Sequence, residues 1–103
     1  MIEIELQIPD DAKTAIIVRI VEDVCVANDL CCALRGTLAK YPGSIHWHFK
    51  KSGQMGTLEI TWWESQYRLW FKVARGRTSD WITDSLPLLK ARLESEFLKS
   101  VYK

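Results

Sequence analysis

From Ile45 to Val73 apolar side chains fall on every second residue, in three runs: Ile45, Trp47, Phe49; Leu58, Ile60, Trp62; and Leu69, Phe71, Val73. A period of two puts each run on one side of an extended strand. The three runs therefore predict adjacent antiparallel strands with one face on a core and the other face polar and open. Ile2 to Ile8 alternates in the same way and is ended by Pro9, which predicts a further half-buried strand.

Elsewhere the period changes to that of a helix. Ala12, Ile16, Ile20, Val24 and Ala27 recur at helical spacing, with Arg19, Glu22 and Asp23 mostly on the other side, and Asp10 or Asp11 is positioned to cap the N-terminus. A second stripe, Ile82, Leu86, Leu89, Leu93 and Phe97, follows Thr78 or Ser79 as cap. Pro87 is expected either to kink this helix or to separate a short first piece from a new helix capped by Ser85.

The segment from Leu30 to Lys40 fits two readings. Continuing the helical spacing through Cys31, Leu34 and Leu38 to Tyr41 gives one helix of about 30 residues, against a usual length of roughly 11 to 12. Ending the helix at Asn28-Asp29 instead makes the segment a strand, and Tyr41-Pro42-Gly43-Ser44 then carries Pro and Gly where a type II turn needs them. The strand reading is preferred because that turn pairs Leu38 with Trp47 and Gly36 with Phe49, with Cys32, Leu34, Gly36 and Leu38 on the core face. Turns around Ser52-Gly53-Gln54-Met55 and Ser65-Gln66 likewise pair Phe49 with Leu58, Trp47 with Ile60, Trp62 with Leu69 and Ile60 with Phe71. The expected fold is a single α+β domain over residues 1–103: a four- to five-stranded antiparallel meander with two helices on one face, the other face open or dimer-forming.

Composition narrows the functional classes. The chain is 48% hydrophobic and 26% charged over 103 residues, enough for a core without a metal or disulfide staple. Fourteen basic and thirteen acidic residues leave a net charge of +1, so any attraction for nucleic acid or anionic lipid must be local. Three cysteines, Cys25, Cys31 and Cys32, are odd in number and two are adjacent, which does not read as a disulfide framework. No secretory pattern follows Met1 and no apolar run is long enough to span a bilayer, so a cytoplasmic location and no membrane partner are expected.

The pairings just given write the polar face as rows: Thr37, His48, Glu59, Lys72; Ala39, His46, Thr61, Trp70; and Arg35, Lys50, Thr57, Ala74, with Trp63 opposite Arg68. The candidate ligand-binding residues are His46, His48, Glu59, Trp63, Arg68, Trp70 and Lys72. His48, Glu59 and Lys72 could serve acid–base chemistry, but the row has no nucleophile and no substrate-holding Gly-rich loop, so a cross-strand charge ladder is the simpler reading. His46 and His48 share one side of a strand, yet two imidazoles fall short of the three or four ligands of a zinc site, and no metal or cofactor is expected. Trp63 and Trp70, read as indoles of the open face among Arg and Lys, suit a stacking platform for single-stranded nucleic acid, or a homodimer interface; the simpler reading is that a loop, a second chain or the Arg68 guanidinium covers them. Arg75, Arg77, Thr78 and Ser79 run into a helix N-terminus and form a candidate anion site. The expectation is a small non-catalytic binding or regulatory module acting through the open sheet face, with a single-strand nucleic-acid binder and a small acid–base enzyme as alternatives.

Overall fold

The computed structural model describes residues 1–101. Five strands, β1 (Ile2–Leu6), β2 (Leu30–Gly36), β3 (Ile45–Lys51), β4 (Leu58–Trp63) and β5 (Arg68–Val73), and two helices, α1 (Thr14–Ala27) and α2 (Asp80–Val101), follow one another in the order β1-α1-β2-β3-β4-β5-α2. The strands form one antiparallel sheet in the order β1-β5-β4-β3-β2. This is the α+β arrangement that the two periodicities predict: a meander from β2 to β5, with β1 added beside β5.

One face of the sheet is apolar because the period-two runs meet in register. Phe49 lies opposite Leu58, Trp47 opposite Ile60, Ile60 opposite Phe71 and Trp62 opposite Leu69, all as read from the sequence. These side chains form a single buried cluster with Ile17, Ile20, Val21 and Val24 of α1 and Ile82, Leu89, Leu93 and Phe97 of α2, so both helices cover the same face. Complete burial of an aromatic or large aliphatic side chain contributes about 1.5–3 kcal/mol, and Trp47, Trp62, Phe49, Phe71 and Phe97 are each almost fully buried.

Both helices depart from expectation in detail. Neither Asp10 nor Asp11 caps α1: the helix begins two residues beyond Ala12, with Lys13 at the cap position and no side-chain cap. The chain between β1 and α1 is held instead by the Tyr67 hydroxyl, 2.5 Å from the Pro9 carbonyl oxygen and 2.8 Å from that of Ala12. Thr14 then serves as a tether, accepting a hydrogen bond from the Trp62 indole at 3.0 Å and donating to Glu64 at 2.5 Å. Helix α2 runs unbroken through the exposed Pro87, its eighth residue, and Ser85 donates back to the Trp81 carbonyl at 2.5 Å rather than capping a new helix.

The region after α1 carries the largest correction. A strand does form, and Asp29, with φ +65°, ends the helix ahead of it, but β2 stops at Gly36 and the predicted pairing with β3 is not made. A bulge at Ala33 lies between the Cys32–Phe49 and Leu34–His48 pairs. It turns Leu34 to the polar face and places Arg35 opposite Trp47 on the helix side, where its guanidinium reaches Glu22 at 2.8 Å. The Pro-Gly turn itself is as read, with Gly43 at φ +80° and the Ser44 N–H donating to the Tyr41 carbonyl at 3.0 Å. It does not join the strands directly, because a second turn precedes it, closed by the Tyr41 N–H on Leu38 at 3.0 Å.

Gly56 fixes how the β3–β4 connection meets the start of α2. Its φ is +99°, and a Cβ there would stand 2.9 Å from the Arg77 carbonyl oxygen, Ser79 Cβ and Ile82 Cδ1. Gly56→Ala is expected to cost roughly 2–4 kcal/mol in urea unfolding, from left-handed strain and overpacking together. Gly43→Ala, with open space around it, should lose only about 1 kcal/mol; equal losses would contradict the close approach at Gly56.

Candidate functional site

On the polar face the antiparallel ladder builds two mixed rows. One runs Leu34, His48, Glu59, Lys72, Glu3, and the next runs Gly36, His46, Thr61, Trp70, Glu5. Alternation on β3 sends His46 and His48 to the same side, and the β3–β4 register sets Glu59 opposite His48. The three side chains converge. His46 Nε2 lies 3.0 Å from His48 Nε2 and 3.3 Å from Glu59 Oε1, and His48 Nε2 lies 3.8 Å from the same oxygen.

The cluster is well shielded for a sheet face. Side-chain exposure is 5% for His46, 12% for Glu59 and 22% for His48. Thr61, itself buried, places Oγ1 2.8 Å from His46 Nδ1 and so fixes the ring that presents Nε2 to its neighbours. The contact between the two Nε2 atoms needs one proton between them, since two bare lone pairs would repel. Burial holds the His46 pKa below its ordinary value, opposed by the neighbouring Glu59 carboxylate and assisted by His48 and Lys72. At contact distance the Glu59 carboxylate meets, among the described residues, only the two imidazoles. Among the described residues no lysine or arginine nitrogen lies within 4.0 Å of it; Lys72 faces it only across the ladder.

This trio changes the ligand count made from the sequence. Two imidazoles of one strand were too few for a metal ion, but the ladder brings in Glu59 as a third donor, with all the ligand atoms within 4.8 Å of one another. The signal was present in the sequence, because His46 and His48 lie in adjacent rows and Glu59 stands in the His48 row. The rows give the neighbourhood only; the approach of His46 to Glu59 depends on the ring orientation that Thr61 sets.

The indoles do not form an open platform; a loop and Arg68 cover them, as in the simpler of the two readings. Trp70 is only 4% exposed. The Tyr41 ring packs edge-on against it at 5.1 Å and against Trp63 at 4.9 Å, and the Arg68 guanidinium lies over the Trp70 ring at 4.5 Å. The half-buried Trp63 donates its indole N–H to the Pro42 carbonyl at 3.0 Å. Arg68 is also ion-paired with Glu5. The chain's own 38–44 loop thus covers the aromatic faces that a stack of bases or a second subunit would otherwise cover, and Arg68 already has its anion.

The anion candidates divide. Arg77 closes a turn with Ala74 through a 3.0 Å backbone hydrogen bond, accepts from the Thr57 N–H at 2.9 Å, and lines a groove that also contains His48. Arg75, Thr78 and Ser79 do not line it. Thr78 and Ser79 precede α2, whose first turn carries Asp80, an acid that disfavours an anion at the helix N-terminus. Of the cysteines, Cys25 is buried in the core, where burial first, then Cys32 and Glu22, push its pKa up to about 12. Cys31 and Cys32 lie exposed on the edge strand, and none of the three joins the His–Glu cluster.

No protein-family model, no curated protein and no solved structure matches this chain. Among the described residues, no helix is long and apolar enough to cross a membrane.

The cover over the indoles is open to direct test. Since Trp47, Trp62 and Trp81 are buried against the helices, Tyr41→Ala should expose mainly Trp63 and Trp70, shifting the emission to the red and increasing acrylamide quenching. Emission and quenching identical to the wild type would show that Tyr41 does not shield them.

Proposed function

We propose that this chain is a small binding module that holds a divalent transition-metal ion on the polar face of its sheet, through His46 Nε2, His48 Nε2 and a Glu59 carboxylate oxygen. The observation that carries this reading is the triangle formed by those three atoms. Sides of 3.0, 3.3 and 3.8 Å describe a circle of about 2.0 Å radius, and zinc-class ions sit roughly 2.0–2.2 Å from such ligands. An ion near the centre, or slightly above the plane, meets all three donors with little rearrangement.

Charge and hydrogen bonding favour the same reading. A divalent ion supplies a fixed positive charge beside the shielded carboxylate, which no lysine or arginine contacts among the described residues, and it takes the place of the proton shared by the two imidazoles. Thr61 acts as an outer partner: with Nδ1–H donating to its hydroxyl, His46 keeps Nε2 bare for the ion. Two imidazoles and one carboxylate suit zinc, iron, nickel or copper better than magnesium or calcium, which prefer all-oxygen sets. Three protein ligands leave at least one coordination position for water or an added ligand. Stacking of nucleic-acid bases is the weaker alternative, since Trp70 is already covered by Tyr41 and Arg68.

Calorimetric titration with Zn²⁺, and with Co²⁺ followed by visible absorption, tests the reading. One equivalent is expected to bind without a thiolate charge-transfer band, which separates this site from the exposed Cys31 and Cys32. Glu59→Gln and His48→Ala should abolish stoichiometric binding while leaving the far-ultraviolet circular dichroism unchanged. Thr61→Val should weaken it about 10–100-fold, the usual effect of removing an outer partner. No stoichiometric binding by the wild type, or full binding by folded Glu59→Gln and His48→Ala, would refute it.

A further inference from the structure

The polar face is not flat beside His48. The bulge at Ala33 raises Leu34 as one wall, the 74–79 loop raises Arg77 as another, and between them lies an open groove of about 470 Å³ with His48, Lys50 and Thr57 along it. Its charge is one-sided. Lys50 and Arg77 both line it, no acidic side chain does, and among the described residues neither cation has a carboxylate oxygen within 4.0 Å. Of the other cations on the described strands and helices, Arg35, Arg68, Lys90, Arg92 and Lys99 have a carboxylate partner, while Arg19, Lys51 and Lys72 do not and do not line this groove.

The groove is continuous with the proposed ion site through His48, the most exposed of the three donors. Lys50 follows His48 by two residues on the same side of β3, a spacing of roughly 7 Å along the strand. Arg77 is held at the far end by two constraints, the Thr57–Arg77 backbone hydrogen bond of 2.9 Å and the close approach of Gly56 to its carbonyl. An oxyanion seated in the groove lies beside His48, between the residues that bring an ammonium and a guanidinium to its lining.

Building on the metal reading, we propose that the groove formed by Leu34, His48, Lys50, Thr57 and Arg77 is an oxyanion subsite, and that the module's ligand carries a phosphate or carboxylate group bound jointly by the ion and these two cations. The apolar wall at Leu34, 48% exposed, gives room beside the charged end for a hydrocarbon portion of the ligand.

The test uses the full chain loaded with Co²⁺ and inorganic phosphate as the probe, with acetate as the carboxylate counterpart. Titration is expected to perturb the visible d–d bands saturably with at least one of the two, and the difference between them names the preferred oxyanion. Arg77→Ala and Lys50→Ala should each weaken that titration about tenfold or more, as expected for losing a charge-assisted contact, while leaving Co²⁺ affinity unchanged. Bands indifferent to both anions, or an unchanged titration in the Lys50→Ala/Arg77→Ala double variant, would overturn the subsite and leave the metal reading standing. Failure of the wild type to bind Co²⁺ would remove the metal reading and the subsite with it.

Discussion

The pairing of β3 with β4 sets both the core and the polar cluster. With Phe49 opposite Leu58 and Trp47 opposite Ile60, the aromatic side of β3 faces the helices, and the same register turns His46 and His48 outwards beside Thr61 and Glu59. Slipping that pairing by one residue would move Trp47 and Phe49 to the polar side and the imidazoles into the hydrocarbon core. The cost would be several buried aromatic side chains together with several unpaired polar ones. Because one register satisfies both faces, the convergence of two imidazoles and a carboxylate is held by the full weight of the core rather than by the cluster's own weak contacts.

A second constraint is the treatment of the face that the helices do not cover. Towards the β4–β5 turn it is sealed by packing within the chain: the 38–44 loop brings Tyr41 over Trp70 and Trp63, and Arg68 bridges Trp70 and Glu5. The low exposure of His46 and Glu59 themselves lowers the local dielectric between them, which makes a bare carboxylate there costly and strengthens any attraction to a cation. Towards Lys50 and Arg77 the face stays open. Shielding on one side of His48 and access on the other is the arrangement a ligand-accepting ion site requires, and it underlies both the proposed ion site and the proposed oxyanion subsite.

Much of this could be read from residue order alone, and the exceptions have physical causes. Strands β3 to β5 and their registers followed from strict period-two alternation, and the α2 stripe of Ile82, Leu86, Leu89, Leu93 and Phe97 followed from helical spacing, because in both cases many side chains vote for one answer. Edge strand β2 has no such redundancy. A single unpaired residue at Ala33 reversed the facing of everything after it, and a second turn before Tyr41 lengthened a connection that the Pro-Gly turn was expected to close alone. That loop also decides between the open and the covered readings of Trp63 and Trp70, because it carries Tyr41 onto both rings. The polar rows of β3 to β5 were legible, including His48 beside Glu59. The approach of His46 to the same oxygen was not, since it depends on side-chain orientation fixed by Thr61.

The chain has only two histidines, and both belong to the proposed ion site. Long-range nitrogen–proton correlation spectra of the imidazoles, recorded with and without one equivalent of Zn²⁺, therefore observe the site without interference. The account predicts that both Nε2 resonances move to the range of metal-bound nitrogen while both Nδ1 atoms stay protonated, with the His46 Nδ1 proton protected from exchange by Thr61. Unmoved ring nitrogens, or coordination through Nδ1, would contradict it.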